Sequence, residues 1–436
     1  MQLGGSETFV GFGFGPIQAG VFILEAFRSG RFRRIVIGEI LPDIVRSIRE
    51  EGGRFRLNIA HSDRIELVSL SPVEIEDPAE ERDRGRLVDA VFDASEIATA
   101  VPSVRFYRTD TPGSIHRILA RGLVRRFGPE AREAGRPVVI YAAENHNHAA
   151  EILEEAVFSE VPAGQRDAVR SGTRFLNTVI GKMSGVIVAP HEKKLTTLTS
   201  RDPRAFLVES FNRILISRIR FDPPRVFRRG IQVFEEKDDL LPFEEAKLYG
   251  HNAAHALAAY LAVRMGLTRI EELRGAEGAV EFVRSAFLEE SGAALIRKWK
   301  GIDALFTPTG FKGYVDDLMD RMLNPHLGDL VERVARDPSR KLGWDDRLVG
   351  TMRIALRQGV LPTRFALGTA AALAYHAPAA LREGKSPESL LDGIWGPASP
   401  DPAERENVLR LVLEGIEELR AWDKSGVPPF RSRRTT

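Results

Sequence analysis

The 436-residue chain contains no cysteine. Disulfides, thiolate zinc sites and cysteine nucleophiles are thereby excluded, and nothing in the composition calls for an oxidising compartment, so the expected setting is cytoplasmic. Charge imbalance is missing too. Sixty-two basic residues face 61 acidic ones, a net charge of +1. No broad field exists to gather nucleic acid or anionic lipid, and a charged substrate needs a local pocket. Long apolar runs are absent. The most apolar stretch, after Asn252, is broken by His255 and is too short to span a bilayer, and the start MQLGGSETFV has no basic leader before an apolar block. What remains is an ordinary globular composition, 43% hydrophobic, long enough for about two or three domains.

Residues 8–15, TFVGFGFG, form a short apolar run ending in glycines, and PIQAGVFILEAFRSG continues as a helix. The run at 34–39, RIVIGE, reads as a buried strand ending in an acid, so the N-terminus predicts a βαβ unit. Gly11, Gly13, Gly15 and Gly20 then sit where a dinucleotide pyrophosphate turn belongs. Counted from Gly13 the pattern is G-x-G-x-x-Q, with Gln18 in the place of the third glycine. A glycine-rich turn without a nucleotide is the competing explanation. Glu39 is placed to accept both ribose hydroxyls and to repel a 2′-phosphate, which favours NAD over NADP; Arg33, Arg34 and Arg46 blunt that discrimination.

Further strands are expected at 64–76, at 96–101 (EIATAV) and at 137–143 (PVVIYAA), with helices at 78–94 and 112–127. The strand at 137–143 delivers Glu144, Asn145, His146, Asn147 and His148 at its carboxyl end, where open α/β sheets bind ligands. Between 172 and 222 the pattern is mixed, with LVESFNRILI read as one strand. Beyond 238 the texture turns to long helices, which sets the expected domains at 1–238 and 239–436. The tail PPFRSRRTT reads as disordered.

The helix expected at 242–266, PFEEAKLYGHNAAHALAAYLAVRMG, is polar at one end and plain core at the other. At ~100° per residue, Lys247, His251, Asn252 and His255 fall within an arc of roughly 140°. An ordinary lysine titrates at ~10.4, so Lys247 serves as a base only where burial or positive neighbours lower that value. Given this, its neutral amine takes an alcohol proton while hydride leaves the same carbon, and its ammonium returns the proton in reduction. Asn145 and Asn252 would donate to the developing alkoxide and His255 would orient the reacting oxygen. No metal is then required. For any one of these residues alone, a solvated lysine or a satisfied core histidine is the better explanation.

Arg321, Arg333, Arg336, Arg340, Lys341 and Arg347 cluster later, either as an anion clamp or as a charged helix face with Asp329, Glu332, Asp337, Asp345 and Asp346 as local partners. The His146 and His148 pair lacks a third ligand nearby, so no metal site is expected.

Taken together these residues resemble the polyol-specific long-chain dehydrogenases, the mannitol dehydrogenase family. Its K-x4-N-x2-H signature stands here as Lys247, Asn252 and His255. EIATAVPS resembles the family's TTAVG turn, AAENHNH its ACEN strand end, and LEESGAALI and MLNPHLGDLVERVARDPSRKL the corresponding segments of the mannitol-1-phosphate 5-dehydrogenase branch. The likeness runs from about residue 8 to about 420. It implies an α/β chain: a Rossmann-type dinucleotide-binding domain followed by a mostly α-helical C-terminal domain, with metal-independent NAD chemistry on a lysine base. It places Gly13, Gly15, Pro16, Ile17, Gln18, Glu39, Thr99, Ala100 and Val101 at the cofactor, and Lys247, Asn145, Asn252 and His255 at the reacting carbon. Lys182, His148, Arg333, Arg340 and Lys341 fall to the substrate.

The chain departs from the family where V-D-R-I becomes Ile180, Gly181, Lys182 and Met183, losing an acid expected to bind substrate hydroxyls. The expectation is an NAD-dependent dehydrogenase of a polyol or sugar phosphate, acting as a monomer or homodimer without nucleic-acid or membrane partners. Two alternatives stay open: the same chemistry on a sugar acid, cyclic polyol or opine-like amine, and a non-catalytic NAD(H)-sensing protein.

Overall fold

A computed structural model describes residues 3–128, 135–190, 194–379 and 385–432. The chain divides into two compact units, Met1–Leu241 and Pro242–Thr436. The strands, all in the first unit, are β1 (Glu7–Phe12), β2 (Phe32–Gly38), β3 (Phe55–Ala60), β4 (Ile65–Leu70), β5 (Glu74–Glu76) and β6 (Ala94–Thr99). They continue with β7 (Val138–Ala142), β8 (Thr173–Ile180), β9 (Ser184–Ile187), β10 (Ala205–Glu209), β11 (Ile214–Ser217) and β12 (Phe234–Lys237).

Eight of them form one sheet in the order β12-β11-β8-β7-β6-β1-β2-β5. From β8 to β5 every neighbouring pair is parallel; β11 then runs antiparallel to β8 and carries β12. This is the Rossmann-type arrangement expected. The direction of strand succession reverses between β1 and β6, so a crevice opens beyond their carboxyl ends, at Gly13 and Ala100.

The central strands alternate between two cores because successive side chains point to opposite faces. Phe9, Ile35, Ile37 and Val139 enter one core, shared with the helices after β1 and β2 and with the second sheet. Val10, Val36, Val138 and Ile140 enter the other, shared with the helices Glu81–Asp93, Ile115–Phe127 and Ala149–Glu160. With both faces covered, strands β6 and β7 are buried along their whole length, which is why β7 reads as a continuous apolar run, while β6 carries the buried polar residues Ser95, Glu96 and Thr99.

The second sheet, β4-β3-β10-β9, corrects one expectation. LVESFNRILI is not one strand: β10 pairs with β3 and β9 in this small sheet, while β11 joins the large one. Its centre, residues 210–213, is the turn between the sheets. No local pattern distinguishes a strand from two strands with different partners.

Throughout the second unit the described elements are helical, apart from an isolated bridge between Arg269 and Leu330. Its centre is the helix Ala253–Arg264, buried from Ala256 to Ala262. Alanines at 253, 254, 256, 258, 259 and 262 leave little side-chain bulk, so neighbouring helices come close around Leu257 and Leu261. The tail is a second correction. Pro429–Ser432 forms a short helix, and Phe430 is buried between Phe282 and Trp422, with ring centroids 5.6 Å and 5.7 Å away. One aromatic ring supplied the anchor that periodicity could not show; residues 433–436 lie outside the described residues. Among the described residues no helix is long and apolar enough to cross a membrane.

Candidate active site

The glycine turn follows β1. Gly13 has φ +84°, and a Cβ there would come 2.7 Å from the Ala100 carbonyl oxygen, so backbone from the ends of β1 and β6 meets at a point no side chain can enter. Gly15 opens on free space, with no atom within 4 Å of where its Cβ would stand. Pro16 and Ile17 are half-buried, and Gln18 begins a π-helical turn, Gln18–Ile23. Gln18 is fully buried, and neither its Nε2 nor its Oε1 has a hydrogen-bond partner. It lies against Gly11, where a Cβ would collide with its amide. The bulk displaced from the third glycine position is thus accommodated by a glycine on the strand.

Glu39 is buried as well. Its Oε2 accepts the Phe14 N–H at 2.6 Å and its Oε1 the Leu41 N–H at 2.8 Å. The carboxylate clamps the glycine turn from the end of β2, and each oxygen keeps a second lone pair for a ligand hydroxyl.

A second carboxylate organises the neighbouring strand ends. Glu144 accepts Thr99 Oγ1 at 2.9 Å, the Val101 N–H at 2.9 Å and the Tyr107 hydroxyl. Burial raises its pKa although all three bonds favour the ionised form. It therefore ties residues 99–101, at the carboxyl end of β6, to the turn that presents Asn145, which is exposed together with His146 and His148. Lys182, after β8, is buried with its Nζ 3.4 Å from Asn212 Oδ1.

In the second unit, the helix expected over 242–266 is broken in its hydrogen bonding. Leu241–Glu245 is α-helical, Ala246–Asn252 is π-helical and Ala253–Arg264 is α-helical again. A π-turn loosens backbone bonding, and side chains from elsewhere compensate. The Tyr249 carbonyl accepts Ser291 Oγ at 2.6 Å and Thr351 Oγ1 at 3.1 Å. A π-turn advances fewer degrees per residue than an α-turn, so the 140° arc drawn for a regular α-helix does not hold between Lys247 and the residues that follow.

Lys247 retains some accessible surface, yet protein surrounds it closely enough to lower its pKa to about 8. Burial is the main cause and the Arg347 guanidinium adds to it, while Glu244, one turn earlier, opposes both. Asn252 and His255 are half-buried farther along the helix. His251 is buried with Nε2 unpartnered, its pKa pushed well below the usual value by burial, then by His255 and the nearby cations; its ring stacks on His255 at 6.0 Å.

One partner of His255 is not legible from the sequence. His255 Nε2 lies 2.9 Å from Asp329 Oδ2, outside hydrogen-bond alignment. In sequence Asp329 stands as a counter-ion for the basic cluster, and it is also that: Arg333 donates Nε at 2.8 Å and Nη2 at 2.5 Å to its Oδ1. Of the expected substrate-binding cations, Arg333 is thus held by a carboxylate, and Arg340 is largely exposed, 3.8 Å from Asp346. Lys341 is buried, its pKa lowered to about 8 by burial and by Arg347 and Arg340.

Comparison with known proteins follows the same lines. Residues 239–387 match the family model for the mannitol dehydrogenase C-terminal domain. The chain is 30% identical over 345 residues to mannitol-1-phosphate 5-dehydrogenase of Geobacillus stearothermophilus, covering 78% of this chain and 80% of that one. The chain belongs to the mannitol dehydrogenase family. Membership makes it an oxidoreductase of the CH–OH class. A second family member, mannitol-1-phosphate 5-dehydrogenase of Bacillus licheniformis, is 29% identical, with 84% of this chain and 86% of that one covered. The family fold is shared with Pseudomonas fluorescens mannitol 2-dehydrogenase, solved as a ternary complex with NAD and D-mannitol (TM-score 0.68, 17% identity, 95% and 92% covered). It is shared likewise with a D-sorbitol dehydrogenase in substrate-free form (TM-score 0.73, 15% identity, 97% and 94% covered).

Proposed function

We propose that this family member is an NAD-dependent dehydrogenase that interconverts a polyol or polyol phosphate with its ketose, with Lys247 as general acid/base and no metal ion. The observation that carries the reading is the lysine amine held near pKa 8, in the same π-turn as Asn252 and one helix segment before His255. In this reading residues 1–238 bind the cofactor and residues 239–436 the substrate. The protein is cytoplasmic, as a monomer or homodimer.

The first unit suits a dinucleotide. Gly13 and Gly15 offer bare backbone to the pyrophosphate, flanked by Pro16, Ile17 and Gln18; Glu39 offers free lone pairs to the ribose, and Thr99, Ala100 and Val101 form the far wall. The bound cofactor would accept or return a hydride. Lys247, neutral in a substantial fraction of molecules at pH 8, takes the hydroxyl proton, and Glu244 lies one turn away to pass it outward. Asn252 and Asn145 donate N–H groups to the oxygen as charge develops, and His255 orients it. Lys341 supports an anionic substituent on the substrate, a phosphate ester ahead of a carboxylate because the relatives are mannitol-1-phosphate enzymes; Arg333, Arg340, Lys182 and His148 complete the proposed substrate set.

The test is NADH formation at mildly alkaline pH over polyols, polyol phosphates and sugar acids. Binding of NADH without turnover on any of them would favour a sensing role. The pH dependence follows from the lysine. Oxidation needs the neutral amine, so kcat/KM should fall about tenfold per pH unit below about 8 and level off above it. Reduction needs the ammonium and should decline above the same value. A pH–rate series from 6 to 10 in both directions checks this.

A further inference from the structure

His255 does not stand alone, and its surroundings assign its two ring nitrogens different tasks. Asp329 follows Gly328, whose φ is +53°, and the segment is fixed on both sides: the Asp329 carbonyl accepts the Ile270 N–H at 2.9 Å, and Val331 N–H donates to Thr268 O at 3.0 Å. The carboxylate therefore has a fixed place. Burial alone would favour its neutral form, but His255 and Arg333 outweigh burial and hold its pKa at about 2. It is an anion at any working pH, with Oδ1 taken by Arg333 and Oδ2 at 2.9 Å from His255 Nε2.

A neutral imidazole has one N–H and one lone pair, and a carboxylate at bonding distance draws the N–H to the nitrogen that faces it. The stacked His251 ring at 6.0 Å limits where the His255 ring can move. The two atoms are at bonding distance without bonding alignment, a common condition of catalytic contacts before substrate engages.

Resting on the proposed role of His255, we infer that Asp329 is a positioning residue: it fixes the Nε2–H tautomer of His255, so that Nδ1 meets the substrate as a hydrogen-bond acceptor. His255 then orients a hydroxyl by accepting from it, and stabilisation of the alkoxide falls to the asparagines. Arg333 shares the carboxylate and keeps it ionised and in place, so its effect on turnover is exerted through Asp329.

The test is a double-mutant cycle in the full-length protein. Asp329→Asn should lower kcat about 10- to 100-fold while the affinity for NADH, read by fluorescence titration, changes less than twofold. His255→Ala should cost at least as much, and the double variant should be no worse than His255→Ala alone, because Asp329 acts through that ring. Additive losses, or Asp329→Asn within twofold of the parent, would overturn the inference. Full turnover in His255→Ala would instead overturn the role of His255 itself, and the inference with it. A readout independent of activity is the 15N spectrum of the nine histidines, with the His255 signals assigned by their loss in His255→Ala. The parent should show the Nε2–H tautomer and Asp329→Asn a mixture; the Nδ1–H form in the parent would refute the assignment.

Discussion

Replacing Lys247 with alanine is expected to lower kcat for alcohol oxidation by about 10²- to 10⁴-fold, the range associated with loss of a positioned proton acceptor. The fold should survive. Lys247 lies in a π-turn whose carbonyl at Tyr249 is secured by Ser291 and Thr351, and neither bond involves the lysine side chain. Removing a buried ammonium also removes its desolvation cost. NADH binding should be unchanged, because the glycine turn and Glu39 belong to the first unit. The rate that remains should lose its rise toward pH 8, since that rise reports the lysine amine. Turnover within tenfold of the parent, or a pH profile that keeps its shape, would remove Lys247 from the proton-transfer role.

Glu39→Ala should weaken NAD by about 10²-fold in KM with kcat within a few-fold. The carboxylate accepts the Phe14 and Leu41 N–H groups; hydrogen bonds to a charged group contribute roughly 1.5–3 kcal/mol each. Loss of about 2.7 kcal/mol from the glycine turn and the ribose contacts together corresponds to that factor. Glu39→Gln retains an acceptor oxygen and loses the negative charge, so it should be milder in NAD affinity but should narrow the preference over NADP. Steady-state KM values for both cofactors separate the two effects. A carboxylate merely solvated at a strand end would leave both values unmoved.

The parts of this molecule that were legible in the sequence are those that depend on near neighbours along the chain. TFVGFGFG shows a strand and a glycine turn because an apolar run and φ-permissive residues are local facts. PVVIYAAEN shows a buried strand and its polar end for the same reason, and Lys247, Asn252 and His255 stand within one short helical segment. What escaped needed partners far along the chain. Ser291 and Thr351 hold the π-turn from two other helices, and nothing in KLYGHN announces it. Asp329 reaches His255 from a loop beyond the intervening helices; its sole sequence signal was its place in the stretch resembling the mannitol-1-phosphate branch. The small sheet β4-β3-β10-β9 assembles strands more than a hundred residues apart, residues 55–70 with residues 184–209, a pairing that local alternation does not encode. Glu144 was visible as a residue at a strand end, but its three bonds to Thr99, Val101 and Tyr107 were not.

The π-turn at Ala246–Asn252 has a consequence for how this helix tolerates changes in length. Such a turn accommodates one extra residue within an α-helix, so the polar start and the alanine-rich body that follows keep their phase. Deleting one residue from the turn would restore uninterrupted α-helical bonding with Lys247 still on the side of His255, whereas α-helical bonding forced through the unshortened segment would rotate Lys247 by about 100° relative to the helix Ala253–Arg264. A regular helix of full length would then carry its amine on the wrong side.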